Sequence, residues 1–451
     1  MTGSSPALLD RFESFGDADA IVFNGMHHSY RQLLDLVADW QDFLERHDVR
    51  AGQVVALEGV SSPEACGGLL ALIERGAIIV PLAPLPAAKR AEFHEVAQVE
   101  CIITLGVAGG DRHCERTGRS AEHDHYDRLR TAGHAGLVLF SSGTTGRSKA
   151  SVLDFTKVLG RYGAPTRPSR TLAFLNLDHI GGINTLLHTL SQGGAIVTVP
   201  ERTPNSVAAA IEEHAVQVLP TTPTFLNMLL ISGAYERYDL NSLKLITYGT
   251  EPMPLGTLQR LATTMPNVRF KQTYGLSELG ILPTKSKGDD TLWVRLGGAG
   301  FDYRITDGIL WIRSEMAMLG YLNAPAPFDT DGYFNTQDAV EVDGDYVRIL
   351  GRKSEIINVA GEKVYPSEVE GVLLELDNIA EATVSGRPSH VTGMVVKATV
   401  KLVKPEERRL LLRRIREHCG GRLEPFKVPA VVEISDADQH SDRFKKIRNP
   451  A

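Results

Sequence analysis

The chain of 451 residues has little that would tie it to a membrane, a nucleic acid or an oxidising compartment. No uninterrupted apolar run approaches the ~18 residues that a membrane-spanning helix needs. Basic residues number 48 against 55 acidic ones, a net charge of −7, whereas nucleic acids and anionic membranes bind concentrated positive surface. The four cysteines are far apart, and the N-terminus lacks the basic-then-apolar pattern of a signal peptide. We therefore expect a reduced, cytoplasmic protein with no nucleic-acid or membrane partner.

Strand-like apolar runs alternate with helical periodicity, which predicts an α/β fold. Ser29 and Gln32 are spaced as a capping box that opens a helix. The runs at 54–57 and 77–81 predict buried strands. The polar, His-rich stretch at 109–133 is predicted to be a surface excursion. Zinc sites need paired ligand spacing, so we interpret the possible ligands of this stretch as loop residues; they are His113, Cys114, His123, His125 and His134.

The pattern of the sequence changes after Gly351 and Arg352. A strand at 395–403 is followed by a helix that Pro405 opens and that Gly420 ends, as helix start and stop signals predict. These elements form a small self-sufficient set. The sequence therefore predicts a large N-terminal body of layered α/β subdomains at 1–352 and a small α+β C-terminal domain at 353–451.

A short apolar strand at 136–140 leads directly into the loop SSGTTGRSK at 141–149. Small residues let backbone N–H groups turn inward and, with the hydroxyl groups, surround phosphate oxygens. Lys149 adds a point charge to the same anion. The spacing GxxGxxK differs from the GxxxxGK[ST] of a P-loop, so a P-loop NTPase is disfavoured. The candidate phosphate-binding residues are Ser141, Ser142, Gly143, Thr144, Thr145, Gly146 and Lys149.

Further motifs follow this loop in a fixed order along the chain. They are YGLSE at 274–278, YFNTQD at 333–338, Gly351-Arg352, GEKVYPSEVE at 361–370 and FKKIR at 444–448. The ordered set resembles the adenylate-forming, AMP-binding superfamily of acyl- and aryl-CoA synthetases, peptide-synthetase adenylation domains and luciferases. The resemblance spans nearly the whole chain. It implies that ATP activates a small carboxylic acid to an acyl-adenylate with release of pyrophosphate, and that the acyl group then passes to a thiol.

The resemblance also implies which residues bind the nucleotide. Tyr274 would offer a flat face to adenine, and Gly275 would let the nucleotide approach the backbone. Asp338 has an acceptor-only carboxylate suited to both ribose hydroxyls, and Arg352 would join it there. A turn lining the adenine and acyl pockets is implied at Gly249, Thr250 and Glu251.

Three residues are implied to act near the reacting phosphate and carboxylate. Ser277 would direct its hydroxyl to the α-phosphate. Glu278 would bind Mg²⁺, which prefers oxygen donors and neutralises phosphate charge. His179 would lie beside the substrate carboxylate and the path of the incoming thiol.

The resemblance places the catalytic lysine near the C-terminus, at Lys445, with Lys446 as the adjacent alternative. A mobile cation suits the task because it must bridge the substrate carboxylate and the α-phosphate, two anions that approach each other. In the family this lysine is carried by a mobile C-terminal domain. The implied rotation of that domain, about 352–354, would withdraw the lysine and open a thiol channel.

The sequence identifies the substrate acid less precisely than it identifies the reaction. Peptide-synthetase domains carry an acidic residue shortly after the position of His179, to hold an α-ammonium group. None occurs at 180–184, so we favour an acid without a free α-amino group. Coenzyme A is the preferred acceptor, whereas an acyl or peptidyl carrier protein, or an amine, is the alternative. By analogy the acid pocket is lined by His179, Thr221, Thr222, Phe225, Gly249, Thr250 and Leu276.

The sequence departs from the family pattern at a few uncharged positions. Gln337 and Phe444 each stand where the family has glycine, and Ser354 stands at the usual hinge position. Ser148 and Ala150 replace the proline and glycine that close the phosphate loop. No charged catalytic group is lost, so we expect an active ligase. A degenerate homologue that only binds a nucleotide is the alternative.

Overall fold

The computed structural model describes residues 5–106, 111–141, 148–163, 166–199, 201–441 and 443–448. The predicted phosphate-loop residues Ser142, Gly143, Thr144, Thr145 and Gly146 therefore lie outside the described residues. The fold is mixed α/β, which confirms the predicted class. It divides into two compact units. The first comprises Met1–Pro220, Gly275–Ile281 and Arg313–Gly332, and the second comprises Thr221–Tyr274, Leu282–Ile312 and Tyr333–Ala451.

The α-helices of the described residues are α1 Ser5–Glu13, α2 Tyr30–Arg46, α3 Pro63–Glu74, α4 Ala87–Val96, α5 Asp124–Ala132, α6 Phe155–Leu159, α7 Ile180–Ser191, α8 Pro204–His214, α9 Pro223–Ser232, α10 Ala234–Arg237, α11 Leu255–Thr264, α12 Pro366–Leu373 and α13 Arg408–Gly420. Within the described part of the chain, no helix is both long enough and apolar enough to cross a membrane.

The strands are β1 Asp19–Phe23, β2 Met26–Ser29, β3 Val54–Glu58, β4 Ile78–Leu82, β5 Cys101–Leu105, β6 Arg112–Arg116, β7 Gly136–Ser141, β8 Lys149–Asp154, β9 Arg170–Leu172, β10 Ala195–Val197, β11 Val218–Thr221, β12 Leu245–Tyr248, β13 Arg269–Gln272, β14 Tyr274–Leu276, β15 Gly280–Leu282, β16 Thr284–Ser286, β17 Val294–Leu296, β18 Phe301–Thr306, β19 Ile309–Ser314, β20 Gly320–Tyr321, β21 Phe334–Asp343, β22 Tyr346–Arg352, β23 Ile357–Val359, β24 Glu362–Val364, β25 Ile379–Ser389, β26 Gly393–Leu402 and β27 Val431–Ile434.

A seven-stranded sheet in the first unit has the order β20-β8-β7-β4-β3-β5-β6. Its central strands β3, β4, β5 and β7 run parallel, and every residue of β3 and β4 is buried. Parallel strands that are covered on both faces carry continuous apolar runs, as the sequence at 54–57 and 77–81 does. The two predicted strands are therefore confirmed. Strands β7 and β8 form an antiparallel hairpin that encloses the phosphate-loop sequence.

The predicted surface excursion at 109–133 is wrong for the described residues of that stretch. Strand β6 pairs with β5 along its whole length, and α5 follows with Tyr126 and Leu129 buried. The polar sequence of β6 misled the prediction because β6 is an edge strand, whose side chains are half-buried or exposed. An edge strand needs little apolar sequence, because its pairing is supplied by the backbone.

The strands β11, β9, β10, β1 and β2 lie side by side in that order in the first unit. Ser29 caps α2 and forms the predicted capping box with Gln32, which is therefore confirmed. Helix α7 begins directly after His179. A Cβ atom on Gly182 would lie 1.9 Å from the carbonyl oxygen of Asn176, so only glycine allows this close approach.

The second unit contains a six-stranded sheet in the order β16-β17-β22-β21-β19-β18. Strands β21 and β22 form a long antiparallel pair in which Asp338 is opposite Arg352. Strands β12 and β13 form a parallel pair. The chain leaves β22 at Arg352 and enters a short 3-10 turn, Lys353–Glu355, in which Ser354 is exposed.

The last part of the second unit is a three-stranded sheet, β25-β26-β27, with α12 and α13. A core of its own forms there, and Ile415 and Cys419 of α13 are buried in it. The predicted strand at 395–403 and the predicted helix correspond to β26 and α13, but Pro405 does not open the helix, which begins at Arg408 after the N-cap Glu407. The predicted domain boundary at residue 352 lies inside the second unit and stays a prediction.

Candidate active site

Three residues predicted to bind the nucleotide meet in the second unit. The hydroxyl group of Tyr274 donates a hydrogen bond to Oδ2 of Asp338, and Nε of Arg352 lies 2.9 Å from Oδ1 of the same carboxylate. Tyr274 and Asp338 are both buried. Burial and the adjacent Asp338 carboxylate raise the pKa of Tyr274 well above its usual value, so the phenol stays protonated and acts as a donor.

The backbone of β21 and β22 holds this carboxylate in place. The guanidinium Nη1 of Arg352 donates to the carbonyl of Thr336 at 2.7 Å, and the hydroxyl of Thr336 accepts from the backbone N–H of Asp338 at 3.1 Å. Between them, Gln337 has a left-handed φ of 63°. A glycine takes such a φ without strain, which explains why the family has glycine here and why Gln337 departs from it at a cost.

A second cluster, in the first unit, contains the predicted magnesium ligand. The hydroxyl of Tyr321 donates to Oε1 of Glu278 at 2.7 Å, and the ammonium of Lys149 lies 5.2 Å from the centre of the Tyr321 ring. Glu278 is buried. One tyrosine therefore contacts both the cation at the end of the phosphate loop and the carboxylate of the YGLSE motif. Ser277 precedes Glu278 in the turn after β14 and is half-buried.

Both ends of the phosphate loop are anchored. Ser141 and Lys149 are register partners at the end of the β7–β8 hairpin that the loop joins. The side chain of Asn323 donates to the carbonyl of Ser148 at 2.8 Å and accepts from the N–H of Ala150 at 3.1 Å. The amide of Asn323 thus fixes the residues that replace the family's proline and glycine.

His179 is the N-cap residue of α7. Its Nδ1 accepts from the backbone N–H of Gly181 at 2.9 Å. An Nδ1 atom that accepts a hydrogen bond carries no proton, so we assign the proton of the neutral ring to Nε2. The capping bond orients the ring at the beginning of a buried helix.

The turn at 249–251 connects β12 to the segment before α11. A Cβ atom on Gly249 would lie 2.6 Å from Oγ1 of Thr273, so the backbone here tolerates only glycine. Thr250 is exposed and has a φ of 75°, which is strained for a β-branched residue. The carboxylate of Glu251 accepts from the backbone N–H of Thr224 at 2.8 Å and from that of Lys446 at 3.1 Å.

The end of the chain is held by a buried carboxylate, Glu370. The ammonium of Lys446 lies 3.0 Å from Oε2 of Glu370, and Nε of Arg448 lies 2.9 Å from Oε1. Burial alone would raise the pKa of Glu370, but the charges of Lys446 and Arg448 outweigh it and lower the pKa to about 2. Lys446 is thus engaged in an ion pair in which Glu370 is only 1% exposed. The backbone carbonyl of Lys445 accepts from Ser441 at 2.9 Å.

The predicted residues therefore fall into two groups, each within one compact unit. The first group is Ser141, Lys149, His179, Gly275, Ser277 and Glu278. The second group is Gly249, Thr250, Glu251, Tyr274, Asp338, Arg352 and Lys445. The roles of Tyr321, Asn323, Thr224 and Glu370 were not predicted, because no local pattern in the sequence marks a residue whose contacts are distant along the chain.

The available protein ligands suit a magnesium ion better than a metal that is held by protein side chains alone. Among the described residues there is no group of three or more His, Cys, Asp or Glu side chains that could hold a metal ion. Mg²⁺ in nucleotide enzymes is often bound by one or two carboxylates together with substrate phosphates. The buried carboxylate of Glu278, with Lys149 beside the same tyrosine, fits that requirement.

Two family models match the chain, that of the AMP-binding enzyme at residues 8–322 and that of the AMP-binding enzyme C-terminal domain at residues 368–445. The chain belongs to the family of AMP-binding enzymes. The predicted superfamily is confirmed, and the predicted enzyme class, an AMP-forming acid–thiol ligase that uses ATP and coenzyme A, is supported by relatives that are CoA ligases.

Two of these relatives act on acids that carry rings. A ligase from Rhodococcus jostii (strain RHA1), which joins CoA to a methyl-dioxo-octahydroindenyl propanoyl group, is 26% identical, covering 99% of this chain and 98% of its own. An indoleacetate–CoA ligase from Aromatoleum aromaticum (strain DSM 19018 / LMG 30748 / EbN1) is 28% identical, covering 92% and 91%. The fold matches the anthranilate CoA ligase AuaEII, solved with anthranoyl-AMP, with a TM-score of 0.81, 18% identity and coverage of 97% and 95%.

Proposed function

We propose that the chain activates a ring-bearing carboxylic acid without a free α-amino group and joins it to coenzyme A. The observation that carries this proposal is the cluster of Lys149, Tyr321 and Glu278, which combines a cation for phosphate oxygens with a carboxylate for Mg²⁺. The ring-bearing acids of the two relatives support the choice of acid.

In the first half-reaction, an oxygen of the acid attacks the α-phosphorus of ATP in line. A new P–O bond forms while the bond to the bridging oxygen of the β-phosphate breaks, and pyrophosphate leaves. Lys149 and Lys445 offset the negative charge that collects on the phosphates and on the approaching carboxylate. Mg²⁺, when it is bound at Glu278, supplies further charge neutralisation.

The nucleotide is positioned by the second group of residues. Asp338 accepts the ribose hydroxyls, and its orientation is fixed by Tyr274 and Arg352. In the second half-reaction the thiol gives up its proton to solvent and its sulfur attacks the acyl carbon; the C–S bond forms, the bond from the acyl carbon to the phosphate oxygen breaks, and AMP leaves. His179, with its proton on Nε2, donates toward the acyl oxygen while its Nδ1 stays bonded to the helix backbone.

A panel of ring-bearing and straight-chain acids tests the proposal. The enzyme is incubated with ATP, Mg²⁺ and each acid, and hydroxylamine traps the activated acyl group while the nucleotide products are identified. We expect AMP and pyrophosphate, with ring-bearing acids trapped fastest. Formation of ADP and orthophosphate would contradict the proposal.

The acceptor is identified in a second experiment with the best acid of that panel. Coenzyme A, a phosphopantetheinylated carrier protein and a simple amine are offered separately, and the acyl products are read by mass. We expect transfer to coenzyme A to be the fastest. Faster loading of the carrier protein, or faster amide formation, would favour a stand-alone adenylation enzyme. ATP binding without acid-dependent pyrophosphate release would favour a degenerate homologue.

A further inference from the structure

The residue before Lys445 packs against the N-terminal turn of α9, and the residue after it is hydrogen-bonded to Glu251, which also binds that turn. Before the lysine, the ring of Phe444 packs edge-on against Phe225, with 5.7 Å between the ring centres and 88° between the planes. After the lysine, the backbone N–H of Lys446 donates to Oε2 of Glu251 at 3.1 Å. The other oxygen of Glu251 accepts from the N–H and the hydroxyl of Thr224, at 2.8 and 2.5 Å.

Glu251 accepts hydrogen bonds from the backbone N–H groups of two distant segments, the first turn of α9 and the segment after Lys445. The N–H of Thr224 belongs to the first turn of α9, where helical donors have no partner within the helix. A carboxylate is favoured at that position by the helix dipole, and its hydrogen bonds are charge-assisted. Because the same carboxylate also accepts from Lys446, the backbone after Lys445 is attached to a rigid element.

The ring of Phe444 holds the backbone before Lys445 against neighbouring aromatic side chains. Its ring stacks on His440 at 5.4 Å, and Nδ1 of His440 lies 3.0 Å from a carboxylate oxygen of Glu381. Phe444 has a left-handed φ of 53°, a conformation that costs a non-glycine residue energy. Packing against Phe225 and His440 offsets that cost, and a glycine at this position would supply no ring for the packing.

We propose that Glu251 and Phe444 are positioning residues that act through Lys445, by holding the backbone on both sides of it for adenylate formation. The inference rests on the proposed function, in which Lys445 neutralises charge in the first half-reaction only. The second half-reaction, which starts from the acyl-adenylate, does not need these two contacts.

The test measures both half-reactions of the full-length enzyme. For Glu251→Ala and Phe444→Ala, we expect acid-dependent pyrophosphate release at saturating ATP to fall about tenfold or more, since each variant loses the packing or charge-assisted bonds that hold the lysine. Thioester formation from synthetic acyl-adenylate and coenzyme A should stay within about twofold of wild type. In the Lys445→Ala background, adding either substitution should cause no further loss, because both act through the same ammonium.

Two variants serve as matched controls. Ile447→Ala lies in the same segment, with a side chain that is 42% exposed, and should leave both rates unchanged. Phe444→Tyr keeps the ring and should restore most of the first rate. If an alanine variant loses its folded circular dichroism signal, Phe444→Tyr and Glu251→Gln carry the test, with a smaller loss expected for the glutamine, which keeps one acceptor oxygen.

The outcomes separate the inference from the proposed function. If wild type releases no pyrophosphate with any acid, the proposed function fails. If wild type is active but the alanine variants slow both half-reactions equally, slow neither, or still lower the rate when Lys445 is absent, the positioning roles fail while the proposed function stands.

Discussion

At the scale of single residues, the side chains of the site are held in place by hydrogen bonds to one another. Tyr274 and Asp338 come from motifs 64 positions apart, and burial makes their hydrogen bond obligatory. When a buried carboxylate loses its hydrogen-bond donor, the desolvation free energy of the carboxylate is no longer compensated, and the folded state is destabilised.

Tyr274→Phe removes that donor and keeps the ring. We expect the free energy of unfolding to fall by about 1–3 kcal/mol, because Oδ2 of Asp338 is left buried without the phenol. Urea titration measures the change. Tyr333→Phe is the matched control, since its hydroxyl donates to Asp302 at 2.6 Å at an exposed position, and it should change stability by less than about 0.5 kcal/mol. Equal losses in the two variants would contradict the role of burial.

Gln337 offers a stabilising substitution at a strained position. Its φ of 63° favours glycine, so Gln337→Gly should raise the free energy of unfolding by roughly 0.5–1 kcal/mol, the relief of left-handed strain exceeding the greater entropy that glycine loses. Thermal unfolding followed by calorimetry checks this. Gln337→Ala keeps the strain and should give no gain; an equal gain for alanine would show that the side chain, and not φ, is responsible.

At the scale of elements, strands β5 and β6 bring together two cysteines that the sequence separates. Cys101 and Cys114 lie diagonally across the antiparallel pair, with their sulfur atoms 3.1 Å apart. All four cysteines are free thiols in this structure. The hydrogen bond from Cys101, together with the nearby His47 and Arg116 side chains, lowers the pKa of Cys114, whereas burial raises the pKa of Cys66.

We expect mild peroxide to join Cys101 to Cys114. The Cys114 thiolate would first become a sulfenic acid, and the Cys101 thiol would displace water from it to form the disulfide. Loss of two titratable thiols, with a linked peptide in the mass map, measures the product. In the Cys114→Ser variant, the number of titratable thiols should not fall when the same peroxide is added. A linked peptide that contains Cys66 or Cys419 instead would contradict the prediction.

The buried Glu370 cluster predicts how the end of the chain responds to acid. The pKa of Glu370 is lowered from 4.5 to about 2, so its stabilisation is complete above pH 4.5 and is lost as the pH falls toward 2. We expect the free energy of unfolding to decrease with falling pH in this window. Glu370→Gln should flatten the slope of stability against pH there. An unchanged slope in this variant would mean that other carboxylates dominate.

At the scale of the whole molecule, the two family models cover 8–322 and 368–445, and the structural neighbour AuaEII matches 97% of the chain. The rotation of the predicted C-terminal domain about 352–354 stays a prediction, and Lys445 offers the means to test it.

Lys445→Ala should reduce adenylate formation to a small residual rate while thioester formation from supplied acyl-adenylate stays largely intact. The reason is that the domain rotation would withdraw this lysine before the thiol attacks. Pyrophosphate release and thioester formation are measured separately. Lys446→Ala is the adjacent control, and because its ammonium is bound to Glu370 it should affect stability more than the first half-reaction. Equal loss of both half-reactions in Lys445→Ala would count against the rotation.

The alternation of strand-like and helical segments was sufficient to predict the α/β class. The order of the motifs was sufficient to predict the family and, through that resemblance, the chemistry, because each motif carries its reacting groups within a few residues. The tertiary structure decided what no short segment contains. Tyr321 lies between Lys149 and Glu278, a polar edge strand occupies 112–116, and two departures from glycine, Gln337 and Phe444, take left-handed conformations. These features depend on partners distant in sequence and on backbone angles, and both are set only when the chain packs.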